Sequence, residues 1–100
     1  FPDLPAGVSS NYHCFYILTK NSHQNLLLRN FLEERKISSY IGYIPLHSSP
    51  MGSRLGNFKK DLPITNKYSE RVVRLPFHNN MKLKDVKYVC SVIEEFYDGI

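Results

Sequence analysis

Apolar positions along this chain fall into runs of two periods. His13-Cys14-Phe15-Tyr16-Ile17-Leu18-Thr19 is apolar on both alternating faces, Cys14/Tyr16/Leu18 and Phe15/Ile17/Thr19. A strand without a polar face is usually covered on both sides, so this run predicts a central strand. Leu27, Leu28, Phe31 and Leu32 then share one face at helical spacing, widened by Leu26, while Arg29, Glu33, Arg35 and Lys36 take much of the rest. They predict an amphipathic helix over residues 22–36, with Asn21 as its cap and Gln24 at capping-box distance. A β-type run follows over 38–44 and stops at Pro45, which has no N–H for a ladder. Residues 48–62 show no periodicity. Thr65 or Asn66 is placed to cap a short helix ending at Arg71, and Val72-Val73-Arg74-Leu75-Pro76-Phe77 suits a third strand. The last element is a helix from Leu83 to Tyr97, with Val86, Val89, Cys90, Ile93 and Tyr97 on one face, Phe96 alongside and Gly99 placed to stop it. The charges of this helix run against its dipole, with Lys82 and Lys84 at the start and Glu94, Glu95 and Asp98 at the end. The order predicts an α+β fold: a small antiparallel or mixed sheet of about three strands with two long helices packed on one face.

Composition narrows this picture without changing it. One hundred residues, 42% apolar and 13% aromatic, describe one folded domain and not a disordered segment. The longest purely apolar run, Cys14 to Leu18, is far short of the about 20 residues a membrane-spanning helix needs, so no membrane partner is expected. The start, Phe1-Pro2-Asp3-Leu4-Pro5, has neither an initiating methionine nor a secretory pattern, and is read as the start of a piece of a longer protein. Cys14 and Cys90 lie in apolar windows without a CxxC pair. They are expected to be buried free thiols in a reducing, cytoplasmic setting.

Charge is uneven. Residues 51–80 carry Arg54, Lys59, Lys60, Lys67, Arg71 and Arg74 against Asp61 and Glu70, which accounts for the whole formal excess of +4. That third either meets phosphate-bearing partners or forms an ordinary solvated face. The segment Tyr43-Ile44-Pro45-Leu46-His47 delivers an imidazole past a strand end into a Ser/Pro/Gly-rich stretch, where binding groups tend to sit. A surface histidine at a strand end is the plainer alternative. The four histidines form no HExxH or i, i+4 pair, so no metal is expected, and no nucleophile elbow, phosphate loop or dinucleotide fingerprint is present. A stand-alone nucleic-acid or ligand-binding module stays open, given seven tyrosines and a basic third. The basic-aromatic signature of RNA-binding sheets is absent, however, and the aromatics fall mostly at core-facing positions, so nucleic acid is not the expected partner.

Three blocks occur in order: Asn11-x-His13-x-Phe15-Tyr16-Ile17, then Tyr43-Ile44-Pro45-Leu46-His47-x-x-Pro50-x-Gly52, then Ser69-Glu70-Arg71-x-x-Arg74-Leu75-Pro76. Their spacing resembles the C-terminal end of the DegT/StrS family of nucleotide-sugar aminotransferases, nearest to its dTDP-4-amino-4,6-dideoxygalactose transaminase branch. The resemblance runs from about residue 11 to 97. It implies the small C-terminal domain of a fold type I, pyridoxal-phosphate-dependent homodimer acting on dTDP-4-keto-6-deoxyglucose and an amino acid donor. It also implies that the Schiff-base lysine belongs to a large domain of the same polypeptide. These 100 residues alone would then bind no cofactor and transfer no amine. On the same footing, Tyr43 and His47 are the leading substrate-binding candidates, followed by Asn11 and His13, with Arg54 and Lys59 as basic candidates for the diphosphate. Two positions depart from the family pattern: Gly42 stands where close relatives carry a histidine, and Lys82 where they cap the last helix with serine.

Overall fold

The computed structural model describes residues 3–56 and 62–100. Strands β1 (Phe15–Leu18), β2 (Tyr40–Ile41) and β3 (Val72–Leu75) form one antiparallel sheet in the order β1-β3-β2. Helix α1 (Ser22–Glu34) links β1 to β2. A 3₁₀ turn at Leu46–Ser48 leads into the short helices α2 (Pro50–Arg54) and α3 (Pro63–Ser69), and α4 (Leu83–Asp98) ends the chain.

The central strand is β3, not β1 as the doubly apolar run predicts. Val72-Val73-Arg74-Leu75 alternates cleanly, with Val73 and Leu75 buried and Val72 and Arg74 half-buried. The two apolar faces of β1 have a different cause. Phe15 and Ile17 stand opposite Leu75 and Val73 on the helix side, whereas Tyr16 and Leu18 belong to a face that no long helix covers. β2 is also shorter than its sequence run. Thr65 and Asn66 are not caps: α3 starts at Pro63, whose fixed φ suits the first helical position, and both lie inside it.

Leu28 and Leu32 of α1, Val92 and Phe96 of α4, and Ile37, Val73 and Leu75 form the core, so both long helices pack on one face of the sheet. Phe31 meets Phe96 edge-on with centroids 5.4 Å apart. Asn21 Oδ1 accepts the Gln24 N–H (2.8 Å), and Gln24 Oε1 reaches back to the Lys20 N–H (2.8 Å), a capping box displaced by one residue. The helix ends two residues before the sequence boundary. Lys36 there adopts a left-handed φ of 62° and the Ile37 N–H returns to the Leu32 carbonyl (2.9 Å). Two buried polar side chains add to this: Asn25 Nδ2 of α1 donates to the Val72 carbonyl of β3 (2.9 Å), and Thr19 Oγ1, just past β1, lies 2.9 Å from the carbonyl of Arg71, just before β3. At the start of α4, Asp85 Oδ2 accepts the Lys82 N–H (2.9 Å), which supplies half of the cap that serine would complete.

The cysteines correct another expectation, because Cys14 is half-buried and Cys90 is exposed. The apolar face of α4 is wider than the strip α1 and the sheet cover. Cys90 and Val86 sit on its uncovered margin, along a groove with Phe15 and Ile93. Among the described residues no helix is long and apolar enough to cross a membrane.

Candidate functional site

The side of the sheet away from the long helices is concave. Alternation along the strands sends Tyr16, Leu18, Val72, Arg74 and Tyr40 to this face. The register sets Tyr16 and Tyr40 opposite Arg74, one on each side. Past β2, Gly42 runs close to Val72, near enough that an added methyl would meet Val72 Cγ1 at 3.6 Å. This approach carries Tyr43 onto the rim, 83% exposed, with the Arg74 guanidinium 5.2 Å from its ring centroid. Tyr68 of α3 closes the side, with Arg71 5.4 Å from its ring centroid. The result is a cavity of about 580 Å³ lined by His13, Tyr16, Tyr43, Tyr68 and Arg74, within the usual range for small-molecule sites. Its lining, among the described residues, holds no Asp, Glu or Lys.

His13 reaches this cavity in a fixed orientation. Its Nδ1 is 2.9 Å from Asn11 Oδ1, which also accepts the His13 backbone N–H at 3.3 Å. An amide oxygen only accepts, so the ring carries a proton on Nδ1; in the neutral imidazole Nε2, 3.6 Å from Cys14 Sγ, is then the acceptor. Asn11 is thus a positioning residue for the imidazole.

The structure brings His13 and Tyr43 to one cleft, with Asn11 bonded to His13 but outside the cleft lining, and does not bring the other candidates there. His47 is 7% exposed, with Nε2 2.9 Å from Asn66 Oδ1, where it ties the 3₁₀ turn to α3. The strand run expected to stop at Pro45 leaves the ladder after Ile41; past Pro45 the imidazole folds in under the 3₁₀ turn, while Leu46 is 86% exposed. Arg54 is exposed at the end of α2 and does not line the cleft. Lys59 lies outside the described residues. Sequence reasoning passed over Tyr16, Tyr40 and Tyr68 as site residues and counted Arg74 only within the basic third, without singling it out. For Arg74 a signal was present, since it is the one charged position in an alternating apolar strand, two residues from another open-face position, Val72. Among the described residues, no group of three or more His, Cys, Asp or Glu is placed to hold a metal ion.

A family model, the DegT/DnrJ/EryC1/StrS aminotransferase family, matches residues 2–94. The GDP-perosamine synthase of Escherichia coli O157:H7 is 31% identical over 90 residues, which is 90% of this chain and 24% of that protein. The GDP-perosamine synthase of Vibrio cholerae is 33% identical over 73 residues, 73% of this chain and 20% of that protein. The chain therefore spans about a quarter or less of the length of these relatives.

Proposed function

Because the chain belongs to the DegT/DnrJ/EryC1/StrS aminotransferase family, we propose that it is the C-terminal small domain of a nucleotide-sugar aminotransferase, closing one side of the substrate cleft. The observation that carries this reading is the concave sheet face, where phenols, an imidazole and a guanidinium converge without an acidic neighbour. Tyr43 and His13 are its substrate contacts, and Asn11 sets the imidazole. His47 supports the site indirectly: its bond to Asn66 holds the turn that follows Tyr43.

Aminotransferases of this family use pyridoxal phosphate. The cleft lining offers neither a lysine amine to hold the cofactor nor a carboxylate for its ring nitrogen, so these residues do not fit it. In this reading the cofactor is held by a large domain of the same polypeptide, the whole enzyme is a cytoplasmic homodimer, and the 100 residues alone are inactive. What this domain does is bind the sugar nucleotide, orient it and exclude water from one side.

The motif spacing favours dTDP-4-keto-6-deoxyglucose as the acceptor, whereas the similar proteins are named for a GDP-linked aminosugar. The acceptor is accordingly taken as a nucleoside-diphosphate-linked 4-keto-6-deoxyhexose, with an amino acid as donor. The test is amine transfer from glutamate by the protein at its natural length, offered the GDP- and dTDP-linked sugars in parallel. Tyr43→Ala should raise KM for the preferred sugar about tenfold, the loss expected of one good contact. No transfer to either sugar, together with tight and salt-sensitive RNA binding, would replace this reading with the free-standing nucleic-acid module.

A further inference from the structure

We propose that Arg74 anchors an oxyanion-binding site on the open face of the sheet, taking a phosphate or carboxylate of a small ligand. This rests on the cleft reading above but adds to it a residue and a chemistry. Arg74 stands in the central strand, with Tyr16 and Tyr40 as its direct cross-strand neighbours. A guanidinium cannot shed its charge inside a protein, so on a half-buried sheet face it calls for a counter-charge or for water. Among the described residues it has no such partner: the ion pairs there belong to Arg35, and the contact Arg74 makes is with the Tyr43 ring. Contact with a ring face uses the charge and leaves the N–H donors available, while holding the side chain in place.

The open-face cavity supplies more donors and, among the described residues, no carboxylate; Asp85 lines the adjoining cavity, where its Oδ2 accepts the Lys82 N–H. The hydroxyls of Tyr16, Tyr40 and Tyr43 make no hydrogen bond within the described residues, so each is open to an acceptor oxygen. Arg74 and His13 line not only the open-face cavity but also an adjoining one of about 580 Å³ at the end of the sheet. A ligand extended between the two therefore passes the guanidinium. Phosphate and carboxylate share the geometry an arginine fork recognises, two oxygens in one plane. On the open face, an aromatic frame around a cation with no carboxylate among the described lining residues is complementary to that group.

The protein at its natural length, wild type and with Arg74→Met or Arg74→Lys, is titrated separately with inorganic diphosphate and with L-glutamate, following the Arg74 Nε–H resonance. The two probes separate the sources. A shift with diphosphate assigns the site to a phosphate-bearing ligand, and a shift with glutamate assigns it to a carboxylate; either supports the proposal. Arg74→Met should weaken the active probe at least about tenfold, and Arg74→Lys less, because lysine keeps the charge and loses the fork. The proposal is overturned if neither probe moves the resonance, or if Arg74→Met binds as wild type does. It is also overturned if Arg74→Met lowers Tm while leaving binding unchanged, which is the signature of an ion pair with another part of the protein. Binding through Arg74 without amine transfer would overturn the aminotransferase reading and leave this one standing. Amine transfer with both KM values unchanged in Arg74→Met would do the reverse.

Discussion

The same chemical change, Gly→Ala, should have opposite effects ten residues apart. Gly52 is buried in α2 where the helix doubles back on the 3₁₀ turn before it. A Cβ there would overlap the Leu46 carbonyl oxygen and stand 2.9 Å from the Leu46 carbonyl carbon and 3.1 Å from the His47 Cα. All three are backbone atoms, so the clash is relieved by moving the chain and not by a rotamer. The move also strains the cap in which Ser49 Oγ accepts the Gly52 N–H (3.0 Å) and donates to the Leu46 carbonyl (2.7 Å). Overpacking costs about 1–3 kcal/mol and a lost cap about 1 kcal/mol, giving a destabilisation of about 2–4 kcal/mol. At about 4–8 °C per kcal/mol for a domain of this size, Tm should fall by about 8–32 °C. At Gly42 an added Cβ meets Val72 Cγ1 at 3.6 Å, an ordinary contact, and the backbone is not left-handed. Gly42→Ala should therefore stabilise by about 0.4–1 kcal/mol, through the lower entropy of its unfolded chain. Thermal and urea unfolding followed by circular dichroism would measure both. Two variants within about 0.5 kcal/mol of each other would refute the reasoning, since that is the scale of unspecific surface effects.

Three further outcomes follow from particular contacts. His47→Ala should cost about 1–3 kcal/mol by removing the buried bond that ties the 3₁₀ turn to α3, with KM for the sugar nucleotide near wild type; an intact Tm with impaired KM would return His47 to the ligand. A thiol reagent read by mass spectrometry should label native Cys90 before Cys14, and protection of Cys90 would contradict its exposure on α4. Burial pushes the Tyr97 phenol pKa above 10.0, so the folded state holds this proton longer than the unfolded chain. Its contribution is present below the unfolded value and is lost as pH rises through the higher folded value; Tyr97→Phe should flatten the alkaline loss of stability, and an unchanged slope would count against it.

Much of the fold was legible because period and punctuation are local. The Leu28/Leu32 stripe, the Asn21 cap and the proline after β3 each act within a few residues of themselves, and α1, β3 and α4 lie where the sequence places them. What was not legible is relational. The run around Ile17 has the composition of a central strand, but strand order depends on which strand finds two partners, and it is β3 that pairs with both β1 and β2 while Val73 and Leu75 join the buried core. Likewise a histidine beyond Pro45 has the local look of a site residue. Its partner is Asn66, nineteen positions away, a distance no spacing rule spans. Arg74 escaped for the opposite reason: inside a strand its charge reads as a solvated outward position until Tyr16, Tyr40 and Tyr43 are seen to gather around it.

The helices explain why only one face of the sheet is open to a ligand. Arg35, at the end of α1, lies 3.4 Å from the Phe31 ring centroid, reaches Glu95 of α4 at 3.2 Å, and takes the Tyr88 hydroxyl on its carbonyl at 3.1 Å. That clamp also accounts for part of the charge arrangement that runs against the dipole of α4, because Glu95 answers a cation from the neighbouring helix and not its own end. The exposed ion pair itself adds little stability, on the order of 0.2–1 kcal/mol. Its geometric effect is larger, since it holds the two helices together over the side of the sheet that carries the core. Around the other side, Tyr43 remains exposed beside the guanidinium, and Leu46, Leu55 and Ile64 are exposed in the segment that follows. Exposed aromatic and apolar groups mark a surface suited to meeting something, and a helix-backed sheet holds such a surface without deforming. A domain made this way suits the closing of a cleft over an anionic, ring-bearing ligand better than catalysis on its own.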